Sequence, residues 1–105
     1  MPNTTPMKMV TIVTEGLLKD QIIDLLRRHK TTGFTISKVQ GEGSKGVFAS
    51  EWEGPNLKIA SIVSPETANA ILDEVAEKYF EDYSVIAWLT DVSVLRGAKF
   101  TREKD

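Results

Sequence analysis

Hydrophobic positions along the chain recur with two different spacings, and each spacing predicts one type of element. Short apolar runs rich in β-branched residues are typical of strands. Apolar residues three and four positions apart, as at Leu18, Ile22 and Leu25, are typical of an amphipathic helix. The pattern predicts strands at 7–14, 34–39, 56–63 and 85–95 and helices at 17–29 and 65–79.

Local signals support the bounds of both helices. Ser64 followed by Pro65 predicts the start of the second helix, because a serine hydroxyl caps free N–H groups and proline fits the first helical position. Gly33 follows the first helix where a helix stop is expected, and Thr31 and Thr32 already disfavour its continuation.

The predicted order is β-α-β, an irregular loop from Gly41 to Pro55, and a second β-α-β of similar length. Two such units commonly form a ferredoxin-like βαββαβ sandwich, an α+β fold in which two helices cover one face of an antiparallel four-stranded sheet. Trp88 on the fourth strand indicates that the other face is not wholly solvated. We therefore expect self-association through that face.

A chain of 105 residues is long enough for one domain. The polar segment Met1–Pro6 contains two prolines, and we expect it to form a disordered leader. The folded domain is expected to span residues 7–100, and the charged segment Thr101–Asp105 is expected to be a flexible tail.

Composition excludes several classes of function. Thirteen Lys and Arg residues against 15 Asp and Glu give a net charge of −2, which removes the main electrostatic reason to expect nucleic-acid binding. The absence of cysteine excludes disulfides and thiolate metal sites, and the single histidine, His29, leaves an imidazole site short of ligands. No apolar run approaches the roughly 20 residues of a membrane span. We expect a soluble, cytoplasmic domain with no metal and no membrane insertion.

The segment Gly41–Gly46 carries the clearest candidate chemistry. Its three glycines let backbone N–H groups turn toward an anion, Ser44 adds a hydroxyl donor, and Lys45 adds a positive charge suited to phosphate. The alternative is a hairpin tip that is rich in glycine only because nothing constrains it, and the pattern favours neither. The segment opens no helix, so it is neither a Walker A motif nor a dinucleotide fingerprint.

A second basic group follows the last predicted strand. Arg96, Gly97, Lys99 and Arg102 lie where the end of that strand can reach a neighbouring subunit and close a phosphate site. A solvated basic tail explains the same residues.

No catalytic site is expected. His29 lies at the C-terminal end of the first helix, where a cation complements the helix dipole, and no neighbouring Ser, Asp or Cys completes a triad. The acidic residues within 73–77 and 81–82 fit a solvated helix face and a polar turn as well as they fit a metal or acid–base site. We expect neither catalytic residues nor a tightly bound cofactor.

The segment Thr32–Gly43 resembles the PII signalling superfamily. Its TG-x-T-x-x-x-V-x-G-x-G pattern is similar to the run that leads into the long mobile T-loop of classical PII proteins. The resemblance continues at Leu57–Ile59 and Val94–Arg96 and covers most of residues 7–100. Within the superfamily, the run Lys78–Tyr83 is most similar to PII-like proteins of inorganic-carbon uptake, which are linked to bicarbonate transporters and carboxysomes.

This resemblance implies a homotrimer that binds ADP or AMP in the clefts between its subunits, with a T-loop at about 42–55. It implies a signalling protein, not an enzyme, that reports carbon or energy state to a partner such as a bicarbonate transporter or a carboxysome-related protein. Bicarbonate is a further expected ligand. The implied nucleotide contacts are Gly33, Phe34, Thr35, Gly41, Gly43, Ser44, Lys45, Ile62, Arg96 and Gly97. The implied bicarbonate contacts are Gln40, Gly41, Lys45 and Lys99.

The sequence departs from PII proteins at several functional positions. Glu81–Ser84 offers no glycine-rich, lysine-containing B-loop, and Lys45 stands where those proteins use a glutamine for magnesium and 2-oxoglutarate. No tyrosine occupies the loop for uridylylation, and the C-terminal cysteine pair of some carbon-linked relatives is absent. These differences favour ADP or AMP over ATP with magnesium, and they exclude the redox switch.

Three functions remain open from the sequence. The first is a nucleotide-binding sensor, the second is an interaction module with an empty cleft, and the third is a small phosphohydrolase on the same fold. A hydrolase of the acylphosphatase type needs an Arg and an Asn at a phosphate loop, whereas Arg27 and Arg28 lie on the first predicted helix. We therefore rank the sensor first, the interaction module second and the enzyme third.

Overall fold

A computed structural model describes residues 3–40 and 56–95 of the chain, and over this range it contains four strands and two α-helices. The strands are β1 (Thr5–Thr14), β2 (Thr35–Val39), β3 (Asn56–Val63) and β4 (Ile86–Val94). The helices are α1 (Lys19–Arg28), which follows a 3₁₀ turn at Gly16–Leu18, and α2 (Pro65–Tyr79).

The sheet has the order β2-β3-β1-β4, and all neighbouring strands are antiparallel. This arrangement confirms the predicted ferredoxin-like fold. β1 lies in the centre between β3 and β4, whereas β2 pairs only with β3, from Thr35 opposite Ala60 to Val39 opposite Asn56. β2 and β4 are therefore the edges of the sheet.

The core lies between the two helices and one face of the sheet. Opposed residues of antiparallel strands share a face, so Val10 of β1 lies on the same side as Ser61 and Leu89. The buried core residues from both layers are Val10, Ile12, Leu18, Ile22, Leu25, Leu26, Leu57, Ile59, Val63, Ala68, Ile71 and Val75.

The start of α2 confirms the cap that was predicted from the sequence. The backbone N–H of Thr67 donates to Ser64 Oγ at 3.3 Å, and Pro65 is the first helical residue. The hydroxyl therefore satisfies one of the N–H groups that the first helical turn leaves free.

α1 ends next to the predicted bound at His29, but Gly33 takes no part in its termination. Lys30 adopts the left-handed conformation, with a φ of 59°. The N–H of Lys30 donates to Arg27 O at 3.0 Å, and the N–H of Thr31 donates to Leu26 O at 3.3 Å. These two bonds form a Schellman motif, which ends the helix before Gly33 is reached.

β1 begins two residues earlier than the sequence pattern predicted. Thr5 lies opposite Val94 and Pro6 lies opposite Ser93, so the strand takes in the last two residues of the expected leader. Pairing with β4 orders these residues even though their side chains carry no strong strand signal.

The second face of the sheet, called the open face below, lies away from the helices. It carries the odd-numbered residues of β1 and β2 and the even-numbered residues of β3 and β4. Met7 and Thr11 on this face are buried, whereas Trp88 and Ile86 are 39% and 59% exposed. Lys58 is the only charged residue on the described part of this face.

Candidate functional site

β3 extends three residues beyond its pairing with β2. The ladder between them ends at Thr35 opposite Ala60, whereas β3 continues to Val63. The edge of β3 on the β2 side is therefore unpaired at residues 61–63 within the described ranges. We call the gap bounded by residues 33–35 and Ile62 the β2–β3 notch.

The notch brings together four residues that the sequence predicted as nucleotide contacts. Gly33 is exposed, and a Cβ atom added to it would meet no atom within 4 Å. The exposed Thr35 and the half-buried Ile62 lie on the open face. Phe34 is partly buried, and its side chain packs against the core.

The notch offers chemistry that suits a flat heteroaromatic group. A strand edge without a partner presents backbone N–H and C=O groups, which can read the polar edge of a ring. Ile62 supplies an apolar contact, and the Thr35 hydroxyl can donate or accept a hydrogen bond. Small-molecule sites commonly combine such an apolar surface with a few polar groups.

The remaining predicted contacts lie away from the notch or outside the described residues. Gln40 follows the other end of β2, seven residues from Gly33, and an extended chain of that length spans roughly 20 Å. Gln40 and Gly33 therefore lie at opposite ends of one strand. The contacts outside the described residues are Gly41, Gly43, Ser44, Lys45, Arg96, Gly97 and Lys99.

Ser61 is a residue of this region that the sequence analysis did not single out. Its side chain is buried among the inward-facing residues of β3, and its hydroxyl donates to the carbonyl oxygen of Gly33 at 2.6 Å. The sequence signal that could have indicated Ser61 is a serine at an inward-facing position of an apolar strand, because a buried hydroxyl group requires a hydrogen-bond partner.

Glu74 is the carboxylate with the strongest electrostatic perturbation among the described residues, and it lies on the helices, not at the notch. It accepts hydrogen bonds from Arg28 Nη2 at 2.6 Å and Lys78 Nζ at 2.7 Å, and its Oε1 lies 2.8 Å from His29 Nε2. The bonds from Arg28 and then Lys78 lower the pKa of Glu74 to about 2. The cluster ties α1 to α2, and within the described residues His29 contacts a structural ion pair.

Glu74→Gln is expected to lower the free energy of unfolding by about 1–2 kcal/mol at pH 7, because the amide loses charge-assisted hydrogen bonds to half-exposed cations. Folding lowers the pKa of Glu74 from 4.5 to about 2. The contribution of the carboxylate is therefore complete above pH 4.5 and is lost as the pH falls toward 2. Urea titrations across this interval should show the difference between wild type and variant shrinking.

Glu77→Gln provides the matched control for this prediction. Glu77 is an exposed carboxylate on the same helix, and we expect its substitution to change stability little at any pH in the interval. An equal loss in both variants would show that the effect comes from the charge of the helix and not from the ion-pair cluster.

Two further properties of the described residues bear on the class of site. Within residues 3–40 and 56–95, no three His, Cys, Asp or Glu side chains are grouped so that they could hold a metal ion. None of the described helices is long and apolar enough to cross a membrane.

Comparison with known proteins agrees with the fold, and some of the similar structures contain bound ligands. Residues 7–99 match the family described as nitrogen regulatory protein P-II. A protein of Thermus thermophilus described as PII-like and signalling is 41% identical over 94% of this chain and 99% of its own, with a TM-score of 0.82. CPII, a nitrogen regulatory PII-like protein of Thiomonas intermedia K12 bound to ADP, AMP and bicarbonate, is 27% identical over 97% of this chain and 100% of its own, with a TM-score of 0.87. CPII bound to ADP and bicarbonate is 28% identical over 95% and 99%, with a TM-score of 0.84.

Proposed function

Because this chain belongs to the P-II family of nitrogen regulatory proteins, we propose that it is a PII-like sensor that binds ADP or AMP and, as a further ligand, bicarbonate. The observation that carries the proposal is CPII, which is bound to ADP, AMP and bicarbonate and matches 97% of this chain. The open β2–β3 notch supports it, because the notch offers a free strand edge to a planar base.

The family also decides between a regulator and an enzyme. P-II proteins are signalling proteins, and this confirms the prediction that the chain is not an enzyme. The small phosphohydrolase considered from the sequence is therefore set aside.

The nucleotide lies along the edge of β2 in a cleft between two subunits of a homotrimer. The adenine and ribose contact Gly33, Thr35, the backbone of Phe34, and Ile62 at the notch. The phosphates extend toward the loop after Gln40 and toward the end of the last strand of a neighbouring subunit. The phosphate contacts are Gly41, Gly43, Ser44, Lys45, Arg96 and Gly97, and the bicarbonate contacts are Gln40, Gly41, Lys45 and Lys99.

The open face supports assembly into a trimer. Trp88 is half-exposed, Ile86 is more exposed, and Lys58 is the only charged residue on the described part of this face. Such an apolar surface is typical of one that a second copy of the chain covers. Since the notch lies at the edge of the same sheet, association through this face can complete a cleft that a single chain leaves open.

The T-loop, at about residues 42–55, couples the ligand to a partner. Contacts between the phosphates and Ser44, Lys45 and the loop N–H groups favour one loop conformation, and a ligand shifts the population only as far as it binds that conformation more tightly. A protein partner in the cytoplasm, such as a bicarbonate transporter or a carboxysome-related protein, then recognises the loop as a report of carbon or energy state.

Calorimetry with ADP, AMP, ATP and bicarbonate tests this function. We expect ADP and AMP to bind, and we expect Lys45→Ala to weaken ADP binding by about 10-fold or more, because the ammonium group loses its charge-assisted contact with phosphate. Lys19→Ala on the exposed surface of α1 is the control and should bind as wild type does. The absence of heat with every nucleotide would contradict the proposal, and unchanged affinity in Lys45→Ala would remove Lys45 from the site.

A further inference from the structure

The connection between α1 and β2 is anchored firmly only at its two ends. Thr31 donates to Leu26 O through its N–H at 3.3 Å and through its hydroxyl at 3.2 Å. Pairing with β3 begins only at Thr35. Residues 32–34 therefore cross to the sheet without a backbone–backbone hydrogen bond to any other described residue.

Ser61 supplies the hydrogen bond that this crossing otherwise lacks. The residue is 4% exposed, and its Oγ donates to Gly33 O at 2.6 Å. Ser61 directly follows Ala60, the last residue of β3 that pairs with β2. A side chain thus replaces the backbone ladder at the point where the two strands separate.

The carbonyl group and the Cα atom of Gly33 have different environments. Its carbonyl is held from the core side by Ser61, whereas a Cβ atom on Gly33 would meet no atom within 4 Å. If Gly33 continued the ladder, its backbone would lie next to Ile62 and close the notch. The hydroxyl of Ser61 fixes the chain while leaving the edge of Ile62 open.

We propose that Ser61 is a positioning residue that holds the Gly33 peptide in the geometry that the nucleotide requires. This inference rests on the proposed function, because the ligand is the adenine nucleotide at the notch. A peptide that is already fixed loses less conformational freedom when the ligand binds, so the hydrogen bond raises affinity without touching the ligand.

Three variants separate positioning from stability in ADP titrations by calorimetry. Ser61→Ala removes the hydroxyl and is expected to weaken ADP binding by about 5-fold, the equivalent of one hydrogen bond. Ser61→Thr keeps the hydroxyl and should retain the affinity, although its extra methyl group in a packed position lowers the melting temperature. Thr31→Val is the matched control, because Leu26 O keeps its bond from the N–H of residue 31.

A merely structural role would make ADP affinity follow the melting temperature, whereas here Ser61→Thr should bind ADP as wild type does although its melting temperature is lowered. Equal ADP affinity in wild type and Ser61→Ala would overturn the proposal. Equal losses in Ser61→Ala and Thr31→Val would also overturn it, because general loosening of the connection would then suffice.

NMR order parameters test the same claim without a ligand. In the nucleotide-free protein, Ser61→Ala should lower the ¹⁵N order parameters of Gly33 and Phe34, and Ser61→Thr should restore them. Unchanged order parameters in Ser61→Ala would overturn the positioning role. If ADP fails to bind the wild type, the nucleotide function fails, and the order parameters still decide the role of Ser61.

Discussion

Trp88→Glu is expected to convert the proposed trimer into a monomer and to abolish the proposed ADP binding. Trp88 is 39% exposed on the open face, where Lys58 is the only charged residue among the described strands. A three-fold assembly through this face would bury three glutamates at once, and each buried charge without a partner is strongly destabilising. Light scattering should show the mass falling from about three times to one times the 11.7 kDa of the chain.

The loss of ADP binding follows from the same change, because the proposed cleft lies between subunits. Leu17→Glu is the matched control: Leu17 is 42% exposed, similar to Trp88, but it belongs to the turn before α1 on the helix side. Leu17→Glu should leave both mass and ADP affinity unchanged. A trimeric Trp88→Glu protein would show that the open face is not the interface, and a monomeric wild type would contradict the trimer itself.

The sequence predicts this fold well because its strongest signals are local. Ser64 and Pro65 define the start of α2 through a capping bond and a fixed φ angle, both of which act within one helical turn. The alternation in β3 places Leu57, Ile59 and Val63 in the core, since a strand has only two faces to choose between.

The differences from the sequence-based expectation have non-local causes. Pro6 is a weak strand former, yet it is ordered because β4 lies opposite it, and no local pattern reports that pairing. Lys30 ends α1 although glycine is the usual residue with a positive φ. In both cases bonds to other residues outweigh the propensity of the residue itself.

The candidate site was predictable only in part for a related reason. The motif that begins at Thr32 indicated Gly33 and Thr35, but the notch exists because β2 stops pairing two residues short of Ile62, which is a property of strand register. The role of Ser61 could not be predicted from the sequence, because its hydroxyl group donates a hydrogen bond to Gly33, which lies 28 residues away in the chain. A cleft shared between subunits depends in addition on symmetry, which a single chain does not encode as a local pattern.

Gly33→Ala is expected to lower ADP affinity by at least about 10-fold while leaving the protein as stable as wild type or slightly more so. The added methyl group meets no protein atom within 4 Å, so the fold accommodates it. Replacing glycine by alanine at such a position also reduces the entropy of the unfolded chain, a gain of about 0.4–1 kcal/mol. The methyl group would occupy free space beside Gly33, where the proposed ribose and adenine approach the backbone. Calorimetry with ADP and urea titration of the same samples measure the two effects.

The opposite signs of these two effects make the experiment decisive. Most substitutions that weaken binding also destabilise the protein. Gly33→Ala is instead expected to weaken ADP binding without lowering the free energy of unfolding. Ala70→Ser is the control, because it adds one heavy atom to an exposed position of α2 on the helix layer and should leave ADP affinity unchanged. A stable Gly33→Ala protein that binds ADP as tightly as wild type would exclude the β2–β3 notch as the base-binding site. A strongly destabilised variant would instead show that the space beside Gly33 is filled by the protein itself, and the notch would then belong to the fold and not to a ligand.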